Sequence, residues 1–143
     1  MNLCTRGGLR LLSFVETPRV SAGIVLANRD PVLGTFGVAV TPTPRHSASL
    51  VAGHRRRLAG MLHLPPEALI LQRQVHGTEV STGDSLLPPT LWRSLNHRDL
   101  PESDILISDR PGRALVLSVA DCCPVLLYDP LRGAIAAVHA GWR

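Results

Sequence analysis

Three residues with donor side chains interrupt otherwise apolar stretches of the sequence: His76 in Gln74-Val75-His76-Gly77, Cys122 in Ala120-Asp121-Cys122-Cys123-Pro124, and His139 in His139-Ala140-Gly141-Trp142-Arg143. Two imidazoles and a thiolate form a set that zinc favours, and three protein ligands leave a fourth position for water or substrate, the mark of a catalytic rather than a structural site. Copper accepts the same donors, so residue type alone does not choose the metal. The three lie too far apart in the chain for a compact finger or ribbon, so only the fold can bring them together. A metal-free arrangement uses the same groups: Cys122 as nucleophile with His139 or His76 as its base. Each residue also has a plainer reading, a surface histidine or a small buried cysteine. His46, His54, His63, His97 and Cys4 have no patterned neighbours that would raise them above it.

The elements around these residues predict where they sit. Ala68 to Gln74 reads as a strand running into a turn at Val75-His76-Gly77, with the glycine releasing the chain from a regular path. Asp104 to Ser108, Ala114 to Ala120, Val125 to Tyr128 and Ala134 to His139 are apolar runs between the turns Arg110-Pro111-Gly112 and Asp129-Pro130, which reads as strands of a sheet. All three donors therefore fall at strand ends, where a rigid scaffold fixes a side chain and the following turn exposes it. Because the runs are continuous rather than alternating, both faces of the sheet are expected to be covered, in a layered α/β arrangement of sheets and helices.

Upstream, Leu50, Val51, Leu58, Met61 and Leu62 recur at helical spacing between Ser47 and Leu64, with Pro65-Pro66 as a stop and Arg55-Arg56-Arg57 expected on the solvated side. Residues 1 to 46 mix apolar runs, Ala22 to Ala27 and Phe36 to Val40, with turns at Arg29-Asp30-Pro31 and Thr41-Pro42-Thr43-Pro44, and short strands are the expectation there. Residues 83 to 103, with Gly83, Pro88, Pro89, Asn96 and Pro101, predict an irregular excursion able to rim a site.

A chain of 143 residues, 45% hydrophobic and 18% charged, has enough apolar matter for one domain with a core. No run approaches the length of a membrane-spanning helix, and Met1 to Phe14 lacks the core and cleavage site of a signal peptide. The net charge of +4 comes from arginine alone among the basic residues, a skew of coding composition. The short run at Arg55 has no aromatic series beside it for stacking bases, so neither nucleic acid nor membrane is an expected partner. An odd number of cysteines, two of them adjacent, suits a reducing compartment, so a cytoplasmic location is expected.

Taken in order, several segments resemble the YfiH/laccase-domain family. Gln74-Val75-His76-Gly77-Thr78-Glu79-Val80 is similar to its Q-V-H-G segment, Ala120-Asp121-Cys122-Cys123-Pro124-Val125-Leu126-Leu127 to its A-D-C-x-P-V-L segment, and Ala136-Ala137-Val138-His139-Ala140-Gly141-Trp142-Arg143 to its A-A-x-H-A-G-W-R segment. Ser103-Asp104-Ile105-Leu106-Ile107-Ser108 resembles the strand A-D-A-L-V-T, and Gly53-His54-Arg55-Arg56-Arg57-Leu58-Ala59 the helix N-R-x-x-L-A, with His54 in place of the asparagine. The match covers residues 50 to 143. A poorly matched region, 1 to 46, precedes an N-terminal part of the family domain at 47 to 143, and the family's further α/β structure after the third motif has no counterpart here.

The resemblance implies a layered α/β fold with central sheets flanked by helices. It implies metal ligands at His76, Cys122 (rather than Cys123) and His139, with zinc as the cofactor and copper as the alternative. The activity it implies is phosphorolysis of purine nucleosides or deamination of adenosine, with purine nucleosides and phosphate as partners. In that scheme the metal acts as a Lewis acid, and Arg143 is a candidate donor to phosphate on residue type and nearness to His139. A cysteine hydrolase of the peptidoglycan-precursor editing type, a copper polyphenol oxidase, an inactive remnant and an assembly completed by a second chain are the alternatives. A multicopper oxidase needs more clustered histidines than the sequence supplies.

Overall fold

The computed structural model describes residues 2–6, 9–26, 40, 46–82 and 99–142. Residues 36 to 39 of the run ending at Val40, the turns at 29 to 31 and 41 to 44, the part of the excursion from 83 to 98, His97 and Arg143 lie outside the described residues. The described residues form a mixed α/β structure, the class the sequence implies, with the strands in three sheets.

The first sheet is an antiparallel meander of β1 (Asn2–Arg6), β2 (Leu9–Glu16) and β3 (Ser21–Val25), in line with the short strands expected for this region. Alternation along β2 turns Leu9 and Leu11 inward and Arg10 outward. The inward pair joins Val40, Leu58, Ala59, Met61, Leu69, Leu71 and Leu100 in one core, with Cys4 packed at its margin. Each buried leucine there stabilises the fold by about 1.5–3 kcal/mol.

Helix α1 spans Ala48–Met61, inside the expected 47 to 64. Ser47 caps its start, its Oγ accepting from the Leu50 N–H at 3.3 Å. Its end comes before Pro65: Leu64 N–H donates to the Ala59 carbonyl and His63 N–H to that of Gly60, while His63 adopts φ 56°. This is a Schellman ending with a histidine in the left-handed position that glycine usually takes.

The arginine run corrects a sequence expectation. Only Arg56 is fully on the solvated side; Arg55 is 1% exposed and Arg57 is half-buried. Position 55 is one turn from both Val51 and Leu58, so helical geometry carries it to the core face. There its Nε donates to the Val40 carbonyl at 2.6 Å, and burial lowers its pKa to about 10, which leaves it charged at neutral pH.

After a single 3-10 turn at Pro66–Ala68, β4 (Leu69–Ile70) pairs in parallel with β7 (Ala114–Leu115). Both strands are shorter than the apolar runs suggest, because side chains take over the pairing. Gln74 donates through Nε2 to the Ser118 carbonyl and accepts the Ser118 N–H on Oε1, each at 2.8 Å, so one amide serves as a strand partner. Arg73 forms a bridge and an ion pair with Glu102.

The third sheet holds β5 (Val80–Thr82), β6 (Ile105–Ser108), β8 (Cys123–Asp129) and β9 (Ala134–Ala140) in the order β5-β6-β9-β8. β8 and β9 form a hairpin whose turn is held by Asp129 Oδ1, which accepts from the N–H groups of Leu131 and Arg132, with Gly133 at φ 67°. One face of this sheet buries Leu106, Ser108, Ala137 and His139. The expectation that both faces are covered fails on the other side: Val80, Ile107, Val125 and Leu127 share that face and are exposed, and Leu126 and Tyr128 of β8 are exposed as well. β8 is therefore an apolar edge strand open on both faces, although its composition reads as buried.

Burial separates neighbours in the arginine run. Arg55→Ala should lower the unfolding free energy by about 2–4 kcal/mol, since it empties a core position and strands the Val40 carbonyl, whereas Arg56→Ala should stay within about 0.5 kcal/mol of wild type. Urea unfolding followed by circular dichroism distinguishes the two.

Candidate metal centre

The register of the third sheet assembles most of the centre. Ile105 lies opposite Val138, so the preceding residue Asp104 meets His139, whose N–H donates to the Asp104 carbonyl at 2.8 Å. Their side chains share the buried face with Leu106 and Ala137, and the carboxylate meets the imidazole, Oδ1 to Nδ1, at 2.7 Å. On the other side of β9, Pro124 lies opposite His139, which brings Cys122, just before β8, to the same corner.

His76 arrives from a different segment. Gln74 ties the chain before it to Ser118, four residues ahead of Cys122, so the two donor-bearing turns are joined by one side chain. The turn is sharper than the sequence suggests and is made differently: His76 itself, not Gly77, takes the left-handed conformation, at φ 60°. Three successive N–H groups then point inward onto Asp104. Val75 and Gly77 donate to Oδ2 at 3.1 and 2.7 Å, and His76 donates to Oδ1 at 3.1 Å.

The outcome is one compact cluster. Ligand atoms of His76, Cys122 and His139 all lie within 4.8 Å of one another, with Cys122 Sγ 3.9 Å from His76 Nε2. The imidazoles meet edge to face, with centroids 4.8 Å apart and planes at 76°. His139 is buried at the back, Cys122 is half-buried, and His76 is exposed at the front. Tetrahedral zinc with ordinary Zn–N and Zn–S bonds spaces its ligand atoms about 3.5 Å apart, so small side-chain movements would close this cluster around one ion. The donor set and its spacing fit a metal, and the open front leaves a side for a further ligand.

Asp104 is the site residue that the sequence reading passes over, although it stands within a quoted motif. It is fully buried. Burial pushes its carboxyl pKa up, but the hydrogen bonds from His139 and from the N–H groups of Gly77, Val75 and His76 outweigh this and hold it below the ordinary carboxylate value. The available signal was a charge at the head of an apolar strand, Asp104 before Ile105-Leu106-Ile107. Gly141 is the second such residue: a Cβ there would stand 3.2 Å from His76 Cδ2, so its bare backbone makes room for the imidazole. His54 is buried in α1 and Cys123 is exposed on β8.

The family described as multi-copper polyphenol oxidoreductase laccase matches residues 38–143. The chain belongs to this family. A purine nucleoside phosphorylase of Bacteroides thetaiotaomicron is 38% identical over 104 residues, 72% of this chain and 38% of that protein. One of Deinococcus radiodurans is 38% identical over 93 residues, 65% and 32% of the two chains. The chain thus spans less than half the length of these relatives. Among solved structures, YfiH of Bacillus licheniformis superposes with a TM-score of 0.65 at 24% identity, covering 75% of this chain and 40% of its own. YlmD of Geobacillus stearothermophilus gives 0.65 at 22%, covering 94% and 45%. These structures share the fold. Among the described residues, no helix is long and apolar enough to cross a membrane.

Two measurements probe the geometry. Gly141→Ala should displace the His76 ring by a few tenths of an ångström and weaken metal binding about tenfold in chelator competition, while Gly77→Ala, whose Cβ meets nothing closer than 3.6 Å, should leave it unchanged. The acid response follows from the lowered pKa of Asp104: its stabilising contribution is complete above the unfolded value of about 4 and is lost as pH falls through the depressed folded value. The part of the stability gap between wild type and Asp104→Asn that comes from the carboxylate should close progressively in urea unfolding as pH falls below about 4.

Proposed function

We propose that the chain carries the metal centre of a purine nucleoside phosphorylase, with His76, Cys122 and His139 holding zinc and with purine nucleosides and phosphate as substrates. The observation that carries this reading is the convergence of two imidazoles and one sulfur within 4.8 Å, in a chain 38% identical over 104 and 93 residues to parts of two proteins named purine nucleoside phosphorylase. A single group of three donors among the described residues suits one ion rather than a multicopper array.

Zinc bound there would supply Lewis acidity at its open coordination position. In phosphorolysis a phosphate oxygen bonds to ribose C1′ as the glycosidic bond breaks, and the purine leaves with that electron pair and takes up a proton. The chain's own part is positional. Buried His139 forms a fixed wall, exposed His76 and half-buried Cys122 define the open side, and substrate approaches between them. Arg143, outside the described residues, is assigned to the phosphate as a charge-assisted donor. Adenosine deamination, in which water replaces the amino group with release of ammonia, is the finer activity proposed for the same centre.

The reading extends to compartment and assembly. All three thiols are free, which suits the reducing cytoplasm. The open apolar face of Val80, Ile107, Val125 and Leu127 supports a further polypeptide segment or second chain covering the third sheet.

One observation favours a second reading. Cys122 Sγ and His76 Nε2, 3.9 Å apart, also resemble a thiol beside its base, as a metal-free cysteine hydrolase would require. Metal content decides between them: about one zinc per chain supports the first, and metal-free protein with an activity abolished by alkylation supports the second, with copper scored in the same analysis.

The functional test incubates metal-loaded protein with inosine plus phosphate and with adenosine, following hypoxanthine, adenine and inosine. Phosphate-dependent release of base, reduced at least about 100-fold in His76→Ala, is the expected result. Turnover that is absent in metal-loaded wild type, or equal in wild type and His76→Ala, overturns the proposal.

A further inference from the structure

We propose that Asp104 is a positioning residue that sets both imidazoles of the centre at once, fixing the ring nitrogen His139 presents and the backbone turn that aims His76, before any metal arrives. The proposal rests on the metal-ligand reading above for its consequence but not for its geometry, which concerns the chain alone.

The two carboxylate oxygens have separate duties. Oδ1 lies 2.7 Å from His139 Nδ1. An ionised carboxylate only accepts, so Nδ1 carries the proton and Nε2 keeps its lone pair, which leaves Nε2 as the nitrogen able to ligate. Oδ2 gathers the N–H groups of Val75 and Gly77 from either side of His76, and Oδ1 also takes the N–H of His76. Those three bonds clamp a non-glycine residue at φ 60°, a conformation that a free chain avoids. Without the clamp the turn relaxes and the His76 ring leaves its place over Gly141, where it now fits within 3.2 Å of an absent Cβ.

Asparagine exposes this division because it keeps one acceptor oxygen and replaces the other with a donor. If its oxygen faces His139, the amide NH2 confronts backbone N–H groups and the turn opens. If its oxygen takes the Oδ2 position and keeps the Val75 and Gly77 amides, the NH2 confronts the His76 N–H and donates to Nδ1, which forces the proton onto Nε2 and removes that nitrogen as a ligand. Either orientation costs one imidazole. Neither is merely a loss of packing, since the side chains are nearly the same size.

The test has a readout independent of turnover. Long-range proton–nitrogen correlation spectra of metal-free wild type, recorded at mildly alkaline pH where an unperturbed imidazole is neutral, should show His139 protonated at Nδ1 and bare at Nε2. Asp104→Asn should show either the His139 proton moved to Nε2 or the His76 backbone resonances shifted out of the left-handed range. Zinc affinity from chelator competition should fall 10–100-fold. Metal-free wild type with His139 protonated at Nε2 overturns the proposal even if the variant fails to fold. So does a folded Asp104→Asn that keeps the wild-type tautomer, the His76 turn and affinity within twofold. Wild type with the Nδ1 tautomer but no zinc binding would instead sink the metal-ligand reading and leave the positioning role standing.

Discussion

A buried carboxylate with four N–H donors around it is the constraint on which the centre depends. An ionised group with no solvent access is tolerable only if its oxygens are satisfied by fixed donors, and Asp104 finds them in two places: β9 through His139, and the turn at 75 to 77 through three successive amides. The segment carrying His76, the strand carrying Asp104 and the strand carrying His139 must therefore meet for the fold to be stable at all. The bonds that hold the elements together are the same bonds that orient the donors.

The cluster is consequently stiffer at its back than at its front. His139 is paired on both sides within β9 and hydrogen-bonded through its ring, whereas Cys122 precedes an edge strand whose other side is open. His76 is exposed but tethered, by Asp104 through the backbone and by Gln74 two residues upstream. A centre with a fixed wall and an accessible mouth suits chemistry on an incoming ligand better than permanent burial of an ion. The exposed Val80, Ile107, Val125 and Leu127 lie on the face of the third sheet opposite His139.

The donors were legible in the sequence because polar residues at the ends of apolar runs are conspicuous, and the structure gathers all three. Strand ends in the third sheet were legible for the same reason; β8 and β9 run close to the predicted bounds. Three features were not. Arg55 reads as surface because charge type outweighs helical phase in a short run, yet phase decides its place. β4 and β7 read as long because an apolar run does not reveal that Gln74 will supply the next pairing from its side chain. Asp104 reads as the polar start of a strand because three of its four side-chain partners are backbone amides, which every sequence has and none displays.

The turn at His76 shows why the chemistry and the conformation cannot be assigned to different residues. Glycine stands next door at position 77, and the expectation that it releases the chain from a regular path follows from its freedom of rotation. Were Gly77 the left-handed residue, the strain would vanish, but the three amides would no longer converge on one carboxylate with the imidazole between them. With the strain at His76 instead, a cost of about 1–3 kcal/mol is set against hydrogen bonds to a charged acceptor, each contributing about 1.5–3 kcal/mol. The bonds outweigh the strain, and the ring is held on the side where Sγ of Cys122 stands 3.9 Å away. Stability alone would favour glycine at position 76; a histidine there is explained by what its ring nitrogen faces.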